Sequence, residues 1–203
     1  CFFSEVDLNI QINIDWNHNG TWTDETSRNR RVQIHTGFER PLAAVAGVGR
    51  CAITLDNTAR RFSPGDAAGP LYGKLLPRRP VRISTSGGTV LFRGYIERIV
   101  PEAGAISGDE AVIECVDGIA LLNRQRVGVS YESTKTVADA LADLVNAAYT
   151  PPALDIHDNG DTLEHYGQAW KPEVTTCLDA IRQICESAYG RFFVARDGTV
   201  TYI

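Results

Sequence analysis

The chain has 203 residues, of which 43% are apolar, and its 25 acidic and 20 basic side chains give a net charge of −5. This length supports one large domain or two small ones with hydrophobic cores. The negative charge argues against a nucleic-acid-binding protein, which needs a basic face. No apolar run approaches the roughly 18 residues of a membrane-spanning helix.

The two ends of the chain indicate a longer protein. The sequence begins at Cys1 and contains no methionine. The last predicted strand reaches Ile203, so we expect the carboxy-terminal domain to continue beyond it. A lipidated amino-terminal cysteine is the alternative explanation for Cys1, although a strand is predicted to begin almost at once, without a tether.

The clearest strand signal is a strict alternation of apolar and polar residues over positions 6–14. At about 3.3 Å per residue this strand spans roughly 30 Å. A long strand with one apolar face is typical of a barrel or of a large antiparallel sheet. The apolar face consists of Val6, Leu8, Ile10, Ile12 and Ile14.

The sequence DWNHNGTWTDET, residues 15–26, follows this strand and matches part of a calcium loop. Its oxygen-bearing residues fall at loop positions 1, 3 and 5, with Gly20 at position 6. Position 12, which needs a bidentate glutamate, is Thr26, and the flanks are predicted strands. These departures favour a polar turn whose side chains bond to nearby backbone, while a calcium site stays the alternative. The candidate metal ligands are Asp15, Asn17, Asn19 and Asp24.

Further strands are predicted within residues 31–38, 50–57 and 110–118. Residues 80–100 predict a hairpin around Ser86, Gly87 and Gly88. We therefore predict that residues 1–127 form an antiparallel, β-barrel-like domain.

The segment 57–80 is rich in proline and glycine and is long for a loop inside a compact domain. Its aromatic and aliphatic residues predict order against a surface rather than disorder. We expect the part from Arg61 to Tyr72 to form a contact between subunits or between domains. The residues predicted to make this contact are Arg61, Phe62, Pro64, Leu71 and Tyr72.

Residues 128–203 predict a smaller α+β domain. Apolar residues at helical spacing indicate two helices, within 133–149 and 175–190, with threonines as candidate N-caps. Two apolar runs around Asp197 and Gly198 predict a terminal hairpin. The predicted fold class is thus mainly β, with an α+β domain after the β domain.

No catalytic motif is apparent. The sequence has neither G-x-S-x-G nor H-E-x-x-H, and Asn159-Gly160 interrupts the spacing of His157, Asp161 and His165 that could otherwise hold zinc on a helix. The five cysteines show no C-x-x-C spacing, which predicts buried, reduced thiols. We predict a protein that is not an enzyme and needs no cofactor, calcium aside.

Several blocks resemble the minor tail proteins of long-tailed phages, which are similar to baseplate hub and tail-associated proteins. They read RFSPGDAAGPLYGKLLPRRPVRI, LFRGYIERI, ECVDGIALL and YGRFFVARDGTVTY, in the family's order. The resemblance implies a structural protein of the tail tip, in a homo-oligomeric ring that closes or adapts the distal end of the tail tube. A trimer is favoured and a hexamer is possible. The implied partners are the tail tube, distal tail and tape-measure proteins, and the implied location is the virion, after synthesis in the host cytoplasm.

Two other functions stay open. One is a calcium-dependent carbohydrate-binding β domain used in host attachment, with the Asp15 loop holding the ion. The other is a cell-wall hydrolase whose catalytic domain lies outside these 203 residues.

Overall fold

The computed structural model describes residues 10–102, 109–130, 132–157, 160–167 and 170–203. The chain folds into two compact units. The first unit comprises Cys1–Ile34 and Cys51–Cys115, and the second comprises His35–Arg50 and Val116–Ile203. The predicted domains, 1–127 and 128–203, divide the chain at a different place. That domain assignment stays a prediction.

Seven strands form one sheet. They are β1 (Ile10–Ile14), β2 (Thr23–Asp24), β3 (Asn29–His35), β4 (Arg50–Asp56), β5 (Pro80–Thr85), β6 (Val90–Glu102) and β7 (Glu110–Val116). Their order across the sheet is β2-β1-β5-β6-β7-β4-β3. A short 3-10 helix, Thr26–Arg28, lies between β2 and β3. The antiparallel pairing expected of this region is present between β1 and β2, β1 and β5, and β5 and β6. No closed barrel is detected in the part of the chain that the structure describes, so the barrel-like prediction is not confirmed.

The alternation that predicts the first strand also sets its pairing. Ile12 lies opposite Ile83 and Ile14 lies opposite Val81 in the β1–β5 ladder. All four side chains are fully buried, as expected when one face of a strand meets the core. The part of the predicted strand at residues 6–9 lies outside the described residues. The same core contains Trp16, Cys51, Ile53, Leu55, Phe92, Ile96, Ala111, Ile113 and Cys115.

The predicted hairpin at residues 80–100 is confirmed as the antiparallel pair of β5 and β6. Its turn is closed by the N–H of Thr85, which donates to the carbonyl of Thr89 at 2.8 Å. Gly88 has a φ of 87°, a backbone conformation that residues other than glycine rarely adopt.

The second unit contains three helices among the described residues: α1 (Gly118–Arg124), α2 (Val137–Ala148) and α3 (Cys177–Ser187). The two predicted helices correspond to α2 and α3, and Thr136 and Thr176 cap them. The two helices predicted within residues 128–203 are thus confirmed among the described residues. The sequence predicts no helix within residues 1–127, where α1 lies, so the prediction of an all-β domain there is wrong at this point. This helix has only 7 residues and follows β7 directly, so its apolar run is indistinguishable from the end of a buried strand.

Two small sheets complete the second unit. One pairs β8 (Glu132–Thr136) with β10 (Thr162–Tyr166). In the other, β11 (Phe192–Val194) and β12 (Val200–Tyr202) form the predicted terminal hairpin, which is confirmed. Strand β9 (Leu154–Ile156) pairs with β12 in parallel. Gly198 supplies the hairpin's positive φ of 89°.

The cysteines that the structure describes are free thiols and are buried, as predicted. Burial raises the pKa of the Cys51 and Cys185 thiols to about 12. They therefore stay protonated and behave as small apolar groups. No helix in the described ranges is long and apolar enough to cross a membrane.

Candidate functional site

The segment 57–79, between β4 and β5, is fixed at its start by the buried amide of Asn57. The Oδ1 atom accepts the N–H of Phe62 at 2.8 Å, and the Nδ2 atom donates to Ser63 Oγ at 3.1 Å. Successive turns follow, in which N–H groups donate to the carbonyl three residues earlier, as from Asp66 to Ser63 and from Tyr72 to Gly69. The segment is therefore an ordered chain of turns.

Three side chains of this segment fill the core of the first unit. Phe62, Leu71 and Leu75 are 0%, 5% and 8% exposed, and the Phe62 ring lies 6.0 Å from that of Trp16. Burying side chains of this size stabilises a fold by about 1.5–3 kcal/mol each. These contacts hold the rest of the segment in place.

Arg61 makes a further contact within the unit. Its Nη2 atom lies 2.6 Å from Oε1 of Glu25, whose side chain is 2% exposed. The same carboxylate oxygen accepts the indole N–H of Trp16 at 3.0 Å. The Arg61 guanidinium also lies 5.8 Å from the centre of the Phe62 ring. A carboxylate this buried needs such partners to compensate for the loss of water.

The remaining apolar side chains of the segment face solvent. Tyr72 is 56% exposed and Leu76 is 47% exposed, and Pro64 is also exposed. Of the five predicted contact residues, Phe62 and Leu71 are thus buried within their own unit, and Arg61 is bound to Glu25. Pro64 and Tyr72 are the members available to a partner, and the contact itself stays a prediction.

The Asp15 loop has the geometry of a polar turn. Asp15 is 2% exposed, and its two carboxylate oxygens accept the N–H groups of Asn19 at 3.2 Å and Gly20 at 2.7 Å. Asn19 Oδ1 accepts the N–H of Thr21, and Asp24 Oδ1 accepts that of Thr26. Each of these oxygens thus accepts a backbone hydrogen bond within the loop, as in a polar turn.

Within the described ranges, no three His, Cys, Asp or Glu side chains are grouped as a metal site would require. Asn17, the remaining candidate ligand, is exposed. The calcium site at Asp15, Asn17, Asn19 and Asp24 stays a prediction.

A cluster on the sheet was not indicated by the sequence patterns. The guanidinium groups of Arg82 and Arg93 lie 5.0 and 5.8 Å from the indole centre of Trp22. The predicted hairpin is enough to bring Arg82 close to Arg93, because it places β5 and β6 side by side. The position of Trp22 depends on the β2-β1-β5 strand order, which has no local signal.

The second unit contains an open groove of about 790 Å³. Residues 39–48 form one wall, with Leu42 91% exposed, and α1 and α3 supply the remainder. Ile119 and Leu178 contribute apolar surface. The charged lining residues carry both signs, so the groove prefers neither anions nor cations. The charged residues are Glu39, Arg40, Arg182 and Glu186.

A buried carboxylate joins two parts of the second unit. Asp117 is 5% exposed, and it accepts the N–H groups of Gly49 at 2.9 Å and Ile119 at 3.1 Å. Burial raises the pKa of Asp117 to about 6, and the backbone N–H bonds oppose that rise. A Cβ atom at position 49 would lie 2.5 Å from the carboxylate, so this approach requires glycine.

No family model and no curated protein matches the sequence of this chain. Solved structures do match its fold. The tail protein from Neisseria meningitidis MC58 has a TM-score of 0.67 at 15% identity, covering 96% of this chain and 49% of its own. The 43 kDa tail protein of prophage MuSo2 from Shewanella oneidensis has a TM-score of 0.59 at 10% identity, covering 96% of this chain and 53% of its own.

A third similar structure comes from a secretion system. It is an E. coli protein that is a component of the type VI secretion system and exhibits structural similarity to the bacteriophage T4 tail proteins gp27 and gp5. Its TM-score is 0.51 at 14% identity, and the match covers 85% of this chain and 48% of that protein. The chain therefore has the fold of phage tail proteins, and it spans about half the length of the structures it matches.

Proposed function

We propose that this protein is a structural component of a phage tail tip, a baseplate hub or minor tail protein. The observation that carries the proposal is the fold, which matches two phage tail proteins over 96% of the chain. A match of this extent includes both units, so it does not depend on a single common motif. The E. coli type VI secretion protein adds a third match, to a component of a related assembly.

In this proposal the protein forms a homo-oligomeric ring, a trimer in preference to a hexamer, at the distal end of the tail tube. Its neighbours are the tail tube, distal tail and tape-measure proteins. It is made in the host cytoplasm and resides in the virion. The family blocks in the sequence, above all the RFSPG and LFRG runs, support this placement.

The segment 57–79 offers a surface suited to such a ring. Tyr72 and Leu76 are exposed, yet they belong to a segment whose Phe62, Leu71 and Leu75 are buried. Apolar side chains held on an ordered backbone lose little conformational entropy when a partner covers them. We infer that Tyr72 and Leu76, with Pro64, contact a neighbouring subunit.

The alternative, a calcium-dependent carbohydrate-binding domain, has less support. It needs the Asp15 carboxylate as an ion ligand, and both oxygens of that carboxylate accept backbone N–H groups. None of the three structures described above is named as a carbohydrate-binding protein.

The proposal is tested by locating the protein in particles. Antibodies raised against this chain would be used for gold labelling of purified phage particles from its natural source. We expect label at one end of the tail, opposite the head. Label confined to unassembled material, with no signal on tails, would contradict the proposal.

A further inference from the structure

Two arginines lie directly opposite each other on β5 and β6. The register of the ladder pairs Arg82 with Arg93, and both guanidinium groups lie against the same indole, that of Trp22. Directly opposite residues on antiparallel strands have Cβ atoms about 4.5–5.5 Å apart. Two positive charges are therefore held next to each other on one face of the sheet.

Neither charge is neutralised by a carboxylate in the part of the chain that the structure describes. The one hydrogen bond of Arg82 there is long, from Nη2 to Asn13 Oδ1 at 3.4 Å, and its buried Nε atom has no partner. Four of the other arginines of the same unit have acidic partners. These are Arg28, Arg30, Arg61 and Arg98.

The two arginines repel each other in the isolated chain. Like charges directly opposite each other destabilise a sheet, and the contacts with Trp22 offset that cost. We therefore expect the negative group that neutralises the two arginines to come from outside the described residues of the chain.

We propose that Arg82 and Arg93 bind a carboxylate side chain of a second copy of this chain. The inference rests on the proposed function, because it names a contact within the homo-oligomer. Charge complementarity supports this occupant: the site is positive, whereas the whole chain carries a net charge of −5 and so presents an excess of carboxylates.

The chemistry of the two side chains suits this ligand. Guanidinium groups donate parallel N–H bonds to both oxygens of a carboxylate, in a planar fork that lysine lacks. The shared indole restricts both guanidinium groups before binding, so less side-chain entropy is lost on association. An incoming carboxylate also removes the repulsion between the two arginines.

The test compares two double variants of the protein. Arg82→Gln with Arg93→Gln removes both charges of the site. Arg98→Gln with Arg182→Gln removes two charges at positions that already have acidic partners in their own chain. Sedimentation equilibrium gives the self-association constant of each at sodium chloride concentrations from about 0.05 to about 0.5 M, where screening increases.

We expect the site variant to associate at least tenfold more weakly than the wild type at low salt, with a smaller salt dependence. The control variant should stay within about twofold of the wild type. The melting temperature of the site variant should not fall, because repulsion is removed together with the contacts. A purely structural role for these arginines would lower that temperature and leave association unchanged.

A second variant keeps the test valid if the double glutamine variant misfolds. Arg93→Glu places a carboxylate opposite Arg82, which favours the fold through a cross-strand ion pair but repels an incoming acid. It should fold and fail to associate. A wild-type level of association in either site variant overturns the inference and leaves the proposed oligomer standing. A wild-type protein that stays monomeric at every concentration contradicts the proposed function, and the inference with it.

Discussion

Glu25 and Arg61 form a buried ion pair between positions that are 36 residues apart in sequence. The Arg61 Nη2 and Glu25 Oε1 atoms are 2.6 Å apart, and the two side chains are 20% and 2% exposed. Through this pair the segment 57–79 is tied to the chain just after β2. The segment that offers Tyr72 and Leu76 to solvent is thus held by charge as well as by apolar burial.

Arg61→Ala should destabilise the fold markedly. The variant leaves the Glu25 carboxylate buried, with the Trp16 N–H and the more distant Arg28, 4.0 Å away, as its neighbours. Breaking a buried pair costs about 3–5 kcal/mol, and the partial exposure of Arg61 reduces this to roughly 2–3 kcal/mol. Urea denaturation measures the loss.

The matched control is Arg98→Ala. Arg98 also binds a glutamate, Glu114, but its side chain is 65% exposed, so its loss should cost far less stability than the loss of Arg61. Equal losses in the two variants would show that burial of the Glu25–Arg61 pair has no energetic consequence.

Tyr72→Ser combined with Leu76→Ser should weaken assembly without weakening the fold. Both residues are exposed, so their removal should change the free energy of unfolding by no more than about 0.5 kcal/mol each. Sedimentation velocity of the variant should show a shift from oligomer toward monomer.

Phe62→Ala serves as the contrasting variant in the same segment. Phe62 is fully buried, so its truncation should cost about 3–5 kcal/mol of stability. If the Tyr72 and Leu76 changes leave the oligomer intact, this surface is not a subunit contact.

The structural features that the sequence predicts correctly are those that depend on residues close together in the chain. The alternation over Ile10–Ile14, the glycine of the β5–β6 turn and the threonine caps of α2 and α3 act through near neighbours, so each was predictable. The α1 helix was not, because its run from Ile119 to Leu122 is as apolar as a buried strand.

The contacts that shape the candidate surfaces are non-local. The Asp117 carboxylate reaches Gly49 across 68 positions, and Trp22 reaches Arg82 only through the strand order of the sheet. No spacing rule connects such residues, because the pairing depends on how distant strands order themselves. The segment 57–79 was expected to be ordered, but which of its apolar residues point inward required the structure.

The stability of the protein should depend on pH through Asp117. Its folded pKa of about 6 lies above the ordinary value of 3.8 because the carboxyl is buried. A carboxyl whose pKa is raised on folding favours the folded state when protonated. Its contribution is therefore fully present below about pH 4 and is lost as the pH rises through about 6, a loss of roughly 3 kcal/mol.

Asp117→Asn isolates this effect, since asparagine does not ionise. The free energy of unfolding of the variant, minus that of the wild type, should increase by roughly 2–3 kcal/mol between about pH 4 and about pH 7.5. Denaturation curves at several pH values give this difference. A difference that stays constant with pH would mean that Asp117 ionises in the folded protein as it does in the unfolded chain.

Calcium should not affect the fold if the Asp15 loop is a polar turn. We expect no change in melting temperature on adding calcium or a chelator, because the Asp15 oxygens already accept backbone N–H groups and no three His, Cys, Asp or Glu side chains of the described residues are grouped there. Asp15→Ala should still destabilise the protein, by about 1–3 kcal/mol, since it leaves those N–H groups without acceptors. Equilibrium dialysis showing one bound calcium per chain, lost in Asp15→Ala, would establish the metal site instead.

The mass of the assembled protein, relative to the mass of one chain, tests the proposed role most directly. Sedimentation equilibrium or native mass spectrometry of the complete protein measures this ratio. We predict a ratio of about three, because the proposed function favours a trimeric ring of identical subunits. A ratio of one at every concentration would contradict the proposal that this chain builds a ring at the tail tip.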